Sequence, residues 1–247
     1  SVPLTHLCRD SCSYCVFTQS PIEGVSPYIE LEDIGKSCVS GIDALCSEIL
    51  LTLGEFPEDK YEVARNWLHQ NAYETTIDYL IEASRYALQN YGLLPHANSG
   101  AISAKNLVRL KKVAASQGMV LETIAGRLAE SGGPHFDCPD KSPALRLSTL
   151  EAAGRAKVPF STGILVGIGE TRQERIEALL AIRELHLRFN HIQEVIVINF
   201  TPKANTQMAN YPACDVNEHL WAIAAARLIF QNSTHIQAPP NTTNSID

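Results

Sequence analysis

The sequence predicts an α/β protein in which parallel strands alternate with outer helices. Three observations carry this expectation. Short apolar runs rich in β-branched residues recur along the middle of the chain. Stretches of ten or more helix-forming residues lie between them. The run Glu194-Val-Ile-Val-Ile-Asn-Phe200 sets four β-branched apolar residues in a row, which suits a parallel strand covered on both faces. The pattern allows either an open doubly wound sheet or a closed or partial (βα) barrel. Both put ligands at the C-terminal ends of the strands.

In chain order, Val2-Pro-Leu-Thr5 reads as the end of a first strand. Glu48-Ile-Leu-Leu-Thr-Leu53 is a short apolar run stopped by Gly54, hence a buried strand. Pro57 to Gln70 and Glu74 to Tyr91 read as helices, with Gly92 placed where a helix ends. Leu93 to His96 is a poor strand by propensity because of Pro95, but its place in the alternation predicts one. Ser103 caps a helix running to about Lys112. Met119 to Thr123 reads as the next strand. Ser142-Pro143 opens a helix to Ala156, with Ser as cap and Pro at the first helical position. Phe160 to Ile168 is a strand rich in β-branched residues. Thr171 and Glu174 have capping-box spacing, and Ile176, Leu179, Leu180 and Leu187 share a face of the helix behind them. Asp215 caps a last helix to about Phe230. The polar stretch from Pro239 to Asp247 has no periodicity and is expected to fray. The domain expected is therefore 1–238, with 239–247 as a disordered tail.

Twenty basic residues against 27 acidic ones leave a net charge of −7, which argues against a nucleic-acid partner. No apolar run approaches the twenty residues of a membrane span, so no membrane association is expected. No secretory signal opens the chain. The chain starts at Ser1 rather than Met, and a missing N-terminal segment, which could include a targeting signal, is expected. Sequons at Asn232 and Asn241 match a short pattern that arises by chance.

Seven cysteines are present, at positions 8, 12, 15, 38, 46, 138 and 214. An odd count does not read as a disulfide framework, and three of the seven fall within eight residues. That clustering suits metal binding in a reducing, cytoplasmic compartment. Cys8-Arg-Asp-Ser-Cys12-Ser-Tyr-Cys15 has C-x3-C-x2-C spacing. Three thiolates on one loop hold three irons of a cubane cluster and leave the fourth without a protein ligand. That iron can accept the amino and carboxylate groups of S-adenosylmethionine. A structural zinc site is the rival reading, but zinc usually takes four protein ligands, and there is no second C-x2-C pair. Three buried cysteines without metal is the plain alternative. Cys38, Cys46, Cys138 and Cys214 read mostly as small apolar residues of the interior.

C-x3-C-x-aromatic-C near the start of the chain, with Tyr14 at the aromatic position, resembles the signature of the radical S-adenosylmethionine enzymes. The blocks Pro3 to Asp10, Leu51 to Glu55, Gly92 to Asn98, Gly132 to Phe136, Lys157 to Phe160, Gly163 to Thr171 and His191 to Val195 resemble the 7,8-didemethyl-8-hydroxy-5-deazariboflavin synthase family, subunit 1. The similarity reaches Ile236-Gln-Ala-Pro-Pro240. It implies a partial (βα)6-type TIM-like barrel, a [4Fe-4S] cluster and S-adenosyl-L-methionine. It also implies a place in coenzyme F420 biosynthesis. There a 5′-deoxyadenosyl radical acts on an adduct of tyrosine and a ribitylaminouracil, and ring closure with loss of ammonia gives the deazaflavin FO. A companion radical enzyme supplying the adduct and an electron donor such as ferredoxin or flavodoxin are the implied partners.

By the same resemblance, Cys8, Cys12 and Cys15 are the cluster ligands, and Tyr14 is one of the cofactor-binding residues. Gly54 and Glu55 receive the methionine amino group, although Leu53 stands where the family's motif begins with glycine. Glu122 meets the ribose or methionine part. Gly167 and Glu170 belong to the block supporting the adenine, and the backbone from Val197 to Phe200 contacts it. Gly54 and Gly167 also suit simple turns, and Glu170 suits a helix N-terminus. His96, Asn98 and Asn199 are weaker candidates for the substrate, because a single polar residue at a strand end is usually an ordinary hydrogen-bonded one. Arg9 and Asp10 are read as shaping the loop, and Tyr79, Leu80 and Tyr86 as packing. A companion adduct-forming enzyme, a menaquinone-pathway homologue, a zinc-binding module and an inactive fragment remain as alternatives.

Overall fold

The computed structural model describes residues 1–239, so of the expected tail only Pro239 falls within the described residues. The chain forms two compact units, one of Ser1–Asp10 with Phe17–Gly118, the other of Ser11–Val16 with Met119 onward.

In the first unit, β1 (Val2–Pro3), β2 (Glu48–Thr52), β3 (Leu94–Asn98) and β4 (Ser116–Gly118) lie in chain order, all parallel. The register aligns Val2, Leu51, Ala97 and Gln117 in one row, and all four are buried. The connections are α1 (Leu31–Asp43), α2 (Pro57–Lys60), α3 (Glu62–Gln70), α4 (Thr76–Tyr91) and α5 (Ala104–Leu110). Thr75 and Asp78 close a capping box at the start of α4, and Gly92 at φ +70° ends it. The expected helix from Pro57 to Gln70 is two helices, because Tyr61 is extended at φ −114° and ψ 122°. The strand after Gly92 runs Leu94–Asn98 rather than Leu93 to His96. Helix α1 was not read from the sequence.

In the second unit, β5 (Phe160–Val166), β6 (Ile192–Asn199) and β7 (His235–Gln237) are parallel, joined through α6 (Pro143–Arg155), α7 (Arg172–Phe189) and α8 (Val216–Phe230). Every residue of β5 is buried, and Gly163 is obligatory there because a Cβ would overlap the carbonyl of Ile196. The capping box of Thr171 and Glu174 and the Asp215 cap form as expected.

Four expectations in this unit are corrected. Met119 to Thr123 is not a strand. Its amides bond along β5, Met119 to Ser161 and Glu122 to Gly163, but Glu122 at φ +69° turns the chain and leaves an isolated bridge to Ile164. The fourth strand falls just before it, at Ser116–Gly118. Ser142 precedes α6 without a side-chain cap bond. On α7, Leu180 and Leu187 are exposed, and Arg175, Ala178, Leu179, Ile182, Leu185 and His186 are buried. β6 alternates: Val195 and Val197 are buried while Ile196 and Ile198 are half-buried, so one face is covered and the other only partly. Strand β7 was not read from the sequence.

Candidate cofactor site

In the first unit, the start of the cysteine loop is fixed against the end of β2. The amide of Arg9 donates to the carbonyl of Glu55 at 2.9 Å, and the amide of Glu55 donates to Sγ of Cys8 at 3.2 Å. Gly54 permits this approach, since a Cβ would overlap the carbonyl of Leu7. Arg9 pairs with Asp59 and lies over the ring of Phe56, which holds the loop from its outer side. Burial pushes the Cys8 thiol up to about 11, against the lowering effect of backbone hydrogen bonds.

Glu55 is buried, and its Oε2 accepts the amide of Ala101 at 2.9 Å. Gly100, at φ +70°, lies where a Cβ would overlap the Glu55 carboxylate. Glu55 therefore ties β2 to the turn after β3. His96 lies within β3 rather than at its end, bonded through Nδ1 to Ser116 Oγ at 2.7 Å, and burial lowers its pKa. Asn98 is the last residue of β3 and half-buried. A cavity of about 310 Å³ lies among Leu4, His6, Gln19, Tyr28 and Val63, and none of the expected contact residues lines it.

In the second unit, the amide of Cys15 bonds the carbonyl of Cys12 at 3.0 Å, a tight turn that sets two of the motif's thiols close together in the chain. The amide of Ser13 bonds the carbonyl of Pro134 at 3.0 Å. Tyr14 Oη lies 2.9 Å from Nε2 of His135, and its ring packs against Ala125, Leu128, Leu165, Ile168, Phe200 and Met208. Burial lowers His135 to about 4 and raises Tyr14 well above the usual phenol range, so the pair is uncharged. Sγ of Cys138 faces Sγ of Cys12 within 4.8 Å. Cys138 is buried, as expected, but it belongs beside the motif rather than in the general interior.

Glu122 forms a buried pair with Lys141, Oε1 to Nζ at 2.8 Å. Burial alone would raise the Glu122 pKa, but the charges of Lys141 and Arg146 outweigh it and hold the carboxyl below the usual range. Arg146 is 2 % exposed and donates through Nε to the carbonyl of Asp140 at 2.8 Å and through its guanidinium to that of Val120. The hydrogen bond to Cys138 and burial raise the Cys12 thiol well above its usual range, and the charge of Lys141 offsets only part of that.

Glu170 is fully committed within the chain. Its carboxylate accepts the amides of Gly167 at 2.8 Å and Ile168 at 2.9 Å and pairs with Arg175 Nε at 2.6 Å. It shapes the turn after β5 rather than serving the helix N-terminus. Gly167 has φ +100°, and a Cβ there would crowd Cys214. The Val197 carbonyl accepts from His219 at 2.9 Å. Phe200 uses its amide on Val166 and its carbonyl on Cys214. Asn199, half-buried at the end of β6, lies between them.

Sequence reasoning missed Lys141, Arg146, Arg175 and the placement of Cys138 and His135. No spacing marks Lys141 or Arg146. His135 lies in the Gly132-to-Phe136 block and was readable as part of that block alone.

Parallel α/β units carrying a C-x3-C-x2-C loop straight after the first strand define a radical S-adenosylmethionine enzyme. Cys8, Cys12 and Cys15 are in no disulfide, and the amide bond to the Cys8 sulfur is of the kind that supports a cluster thiolate, so the donor set fits an iron–sulfur cluster. Comparison with known proteins bears this out. The chain is 42% identical over 240 residues to the 7,8-didemethyl-8-hydroxy-5-deazariboflavin synthase of Methanopyrus kandleri, covering 97% of this chain and 72% of that one. It is 46% identical over 245 residues to the FO synthase of Mycobacterium tuberculosis, covering 97% of this chain and 29% of that longer protein. The [FeFe]-hydrogenase maturase HydG of Carboxydothermus hydrogenoformans has a similar fold over 95% of this chain and 52% of its own, with a TM-score of 0.75 and 23% identity. No family model matches. The chain belongs to the 7,8-didemethyl-8-hydroxy-5-deazariboflavin synthase family. Among the described residues, no helix is long and apolar enough to cross a membrane.

Proposed function

We propose that this chain is the radical enzyme that converts 5-amino-5-(4-hydroxybenzyl)-6-(D-ribitylimino)uracil to FO with release of ammonia, in coenzyme F420 biosynthesis. The observation that carries the reading is the 42% identity over 97% of the chain, with Cys8, Cys12 and Cys15 on the loop after β1. When bound, a [4Fe-4S] cluster with S-adenosylmethionine supplies a 5′-deoxyadenosyl radical.

The chain's own residues then have distinct tasks. Cys8, Cys12 and Cys15 would hold the cluster, with Glu55 N–H bonding the Cys8 sulfur. Gly54 and Glu55 would face the methionine end. Glu122, paired with Lys141, would orient the ribose or methionine part. The turn at Gly167, shaped by Glu170, and the backbone from Val197 to Phe200 would bound the adenine. The apolar cluster of Ala125, Leu128, Leu165, Ile168, Phe200 and Met208 would keep water from that side. Asn98 and Asn199 are the substrate candidates left at strand ends. His96, bonded to Ser116, is a weaker one. We assign the core to residues 1–238, the setting to a reducing cytoplasmic compartment, and the partners to the adduct-forming companion enzyme and a ferredoxin- or flavodoxin-type donor.

The test is anaerobic turnover with the adduct, S-adenosylmethionine and a reductant, read as FO fluorescence and deoxyadenosine. The reading expects both products from the wild type and neither from Cys12→Ala. Wild-type turnover by that variant would overturn it.

A further inference from the structure

The pairing of Cys12 with Cys138 has no role in the proposed reaction. It joins two loops that are otherwise pinned on the same side of the second unit. Ser13 N–H bonds the carbonyl of Pro134, and Tyr14 bonds His135. These neighbours of Cys12 hold neighbours of Cys138, so the two thiols meet without a search of the chain. Their sulfurs lie within 4.8 Å, and the side chains are hydrogen-bonded. Both are free. A disulfide needs about 2 Å between sulfurs, which rotation of two cysteine side chains can supply when the backbone already brings them together. Cys12 is partly exposed and Cys138 is buried, so Cys12 is the more accessible residue of the two.

We infer that Cys12 and Cys138 form a reversible disulfide in the cluster-free chain, and that this bond withholds one of the cluster's ligands under oxidising conditions. The balanced step is thiol–disulfide exchange with a small disulfide such as oxidised glutathione. The Cys12 sulfur attacks, one glutathione leaves as its thiol, and a mixed disulfide remains on Cys12. The Cys138 sulfur then attacks Cys12, expelling the second glutathione as thiol. Two protein thiols are oxidised and one glutathione disulfide is reduced to two thiols. A dithiol reductant reverses both exchanges and returns Cys12 for loading. Cys138 thus acts as a resolving thiol that protects a cluster ligand from irreversible oxidation.

The bond itself follows from the geometry, while its effect on loading rests on the cluster reading. The test uses the cluster-free chain, reduced, desalted without oxygen and exposed to oxidised glutathione. Free thiols are alkylated in acid, and the digest is mapped by mass spectrometry. The inference expects the Cys12–Cys138 cross-link at about tenfold over any other pair, as intramolecular closure outcompetes a second glutathione. Cys138→Ala and Cys138→Ser should instead leave glutathione on Cys12, and either one that folds suffices. Cross-links from Cys12 to Cys8 or Cys15 at similar yield, or oxidised Cys12 beside alkylated Cys138, would overturn the inference. Iron uptake is measured on the same samples. It should fall in the cross-linked protein and return with dithiothreitol. Reduced protein that takes up no iron would count against the cluster reading alone, because the peptide map judges the disulfide separately.

Discussion

Tyr14 Oη lies 2.9 Å from Nε2 of His135, and the two rings meet edge-on with centroids 5.6 Å apart. This contact fixes the aromatic residue of the cysteine motif to a segment 121 positions later in the chain. The aromatic position therefore has a structural duty: it seats Cys12 and Cys15 on the second unit. Tyr14→Phe keeps the ring and removes the hydrogen bond, so it should cost about 1 kcal/mol and leave iron binding nearly intact. Tyr14→Ala also removes the ring's packing against the apolar cluster that includes Leu128 and Met208 and should cost about 3 kcal/mol or more, with loss of iron loading. Denaturant midpoints and iron content of the two variants check this. Equal losses in both would contradict it.

The pair of Glu122 and Lys141 should behave as a unit. Lys141→Met leaves a buried carboxylate without its nearest cation and should destabilise by about 3 kcal/mol. Adding Glu122→Gln removes the stranded charge and should recover most of that loss. A double-mutant cycle on unfolding free energies measures the coupling. Additive effects would mean that Arg146 alone compensates Glu122.

Acid should destabilise the cluster-free chain through its buried histidines. His191 is buried, Nε2 bonds the Leu150 carbonyl at 3.0 Å, and Nδ1 has no partner. Burial lowers its pKa to about 4 from an ordinary value of 6.5. The unfolded chain therefore binds a proton that the folded chain refuses between those values. Above pH 6.5 there is no penalty, and stability falls as pH drops toward 4, by up to about 3 kcal/mol for this group. His191→Gln should flatten the curve of unfolding free energy against pH in that window. An unchanged slope would remove His191 from the account.

Gly163→Ala tests the close approach of β5 and β6. The added Cβ would overlap the Ile196 carbonyl in the middle of the sheet, where backbone cannot yield. The variant should lose about 3 kcal/mol or more, or fail to fold, as read by circular dichroism and thermal melting. Gly132→Ala should cost less. Its surroundings are open, and the penalty there comes from φ +84° alone.

The alternation of strands and helices was legible because β2, β5 and β6 are apolar runs and several helices are bounded by identifiable residues, Gly92 ending α4 and Thr171 and Asp215 beginning α7 and α8. The fourth strand was misplaced because Met119 to Thr123 has strand composition, and only the left-handed turn at Glu122 stops it. The face of α7 was misread because its buried side includes Arg175, whose charge is answered by Glu170 and Glu218. Periodicity cannot anticipate a buried cation whose partners come from a strand end and another helix. The same holds at the site. The cysteines announce themselves by spacing, whereas Lys141, Arg146 and Cys138 matter only through contacts made across sequence gaps of 19 to 126 residues, as Glu122 with Lys141 and Cys12 with Cys138.

The most direct measurement is EPR of the anaerobically reconstituted and reduced protein, with and without S-adenosylmethionine. The account predicts a [4Fe-4S] signal in the wild type that changes when S-adenosylmethionine is added, and no such cluster in Cys12→Ala. A protein that takes up zinc or no metal, or a cluster signal indifferent to S-adenosylmethionine, would contradict it.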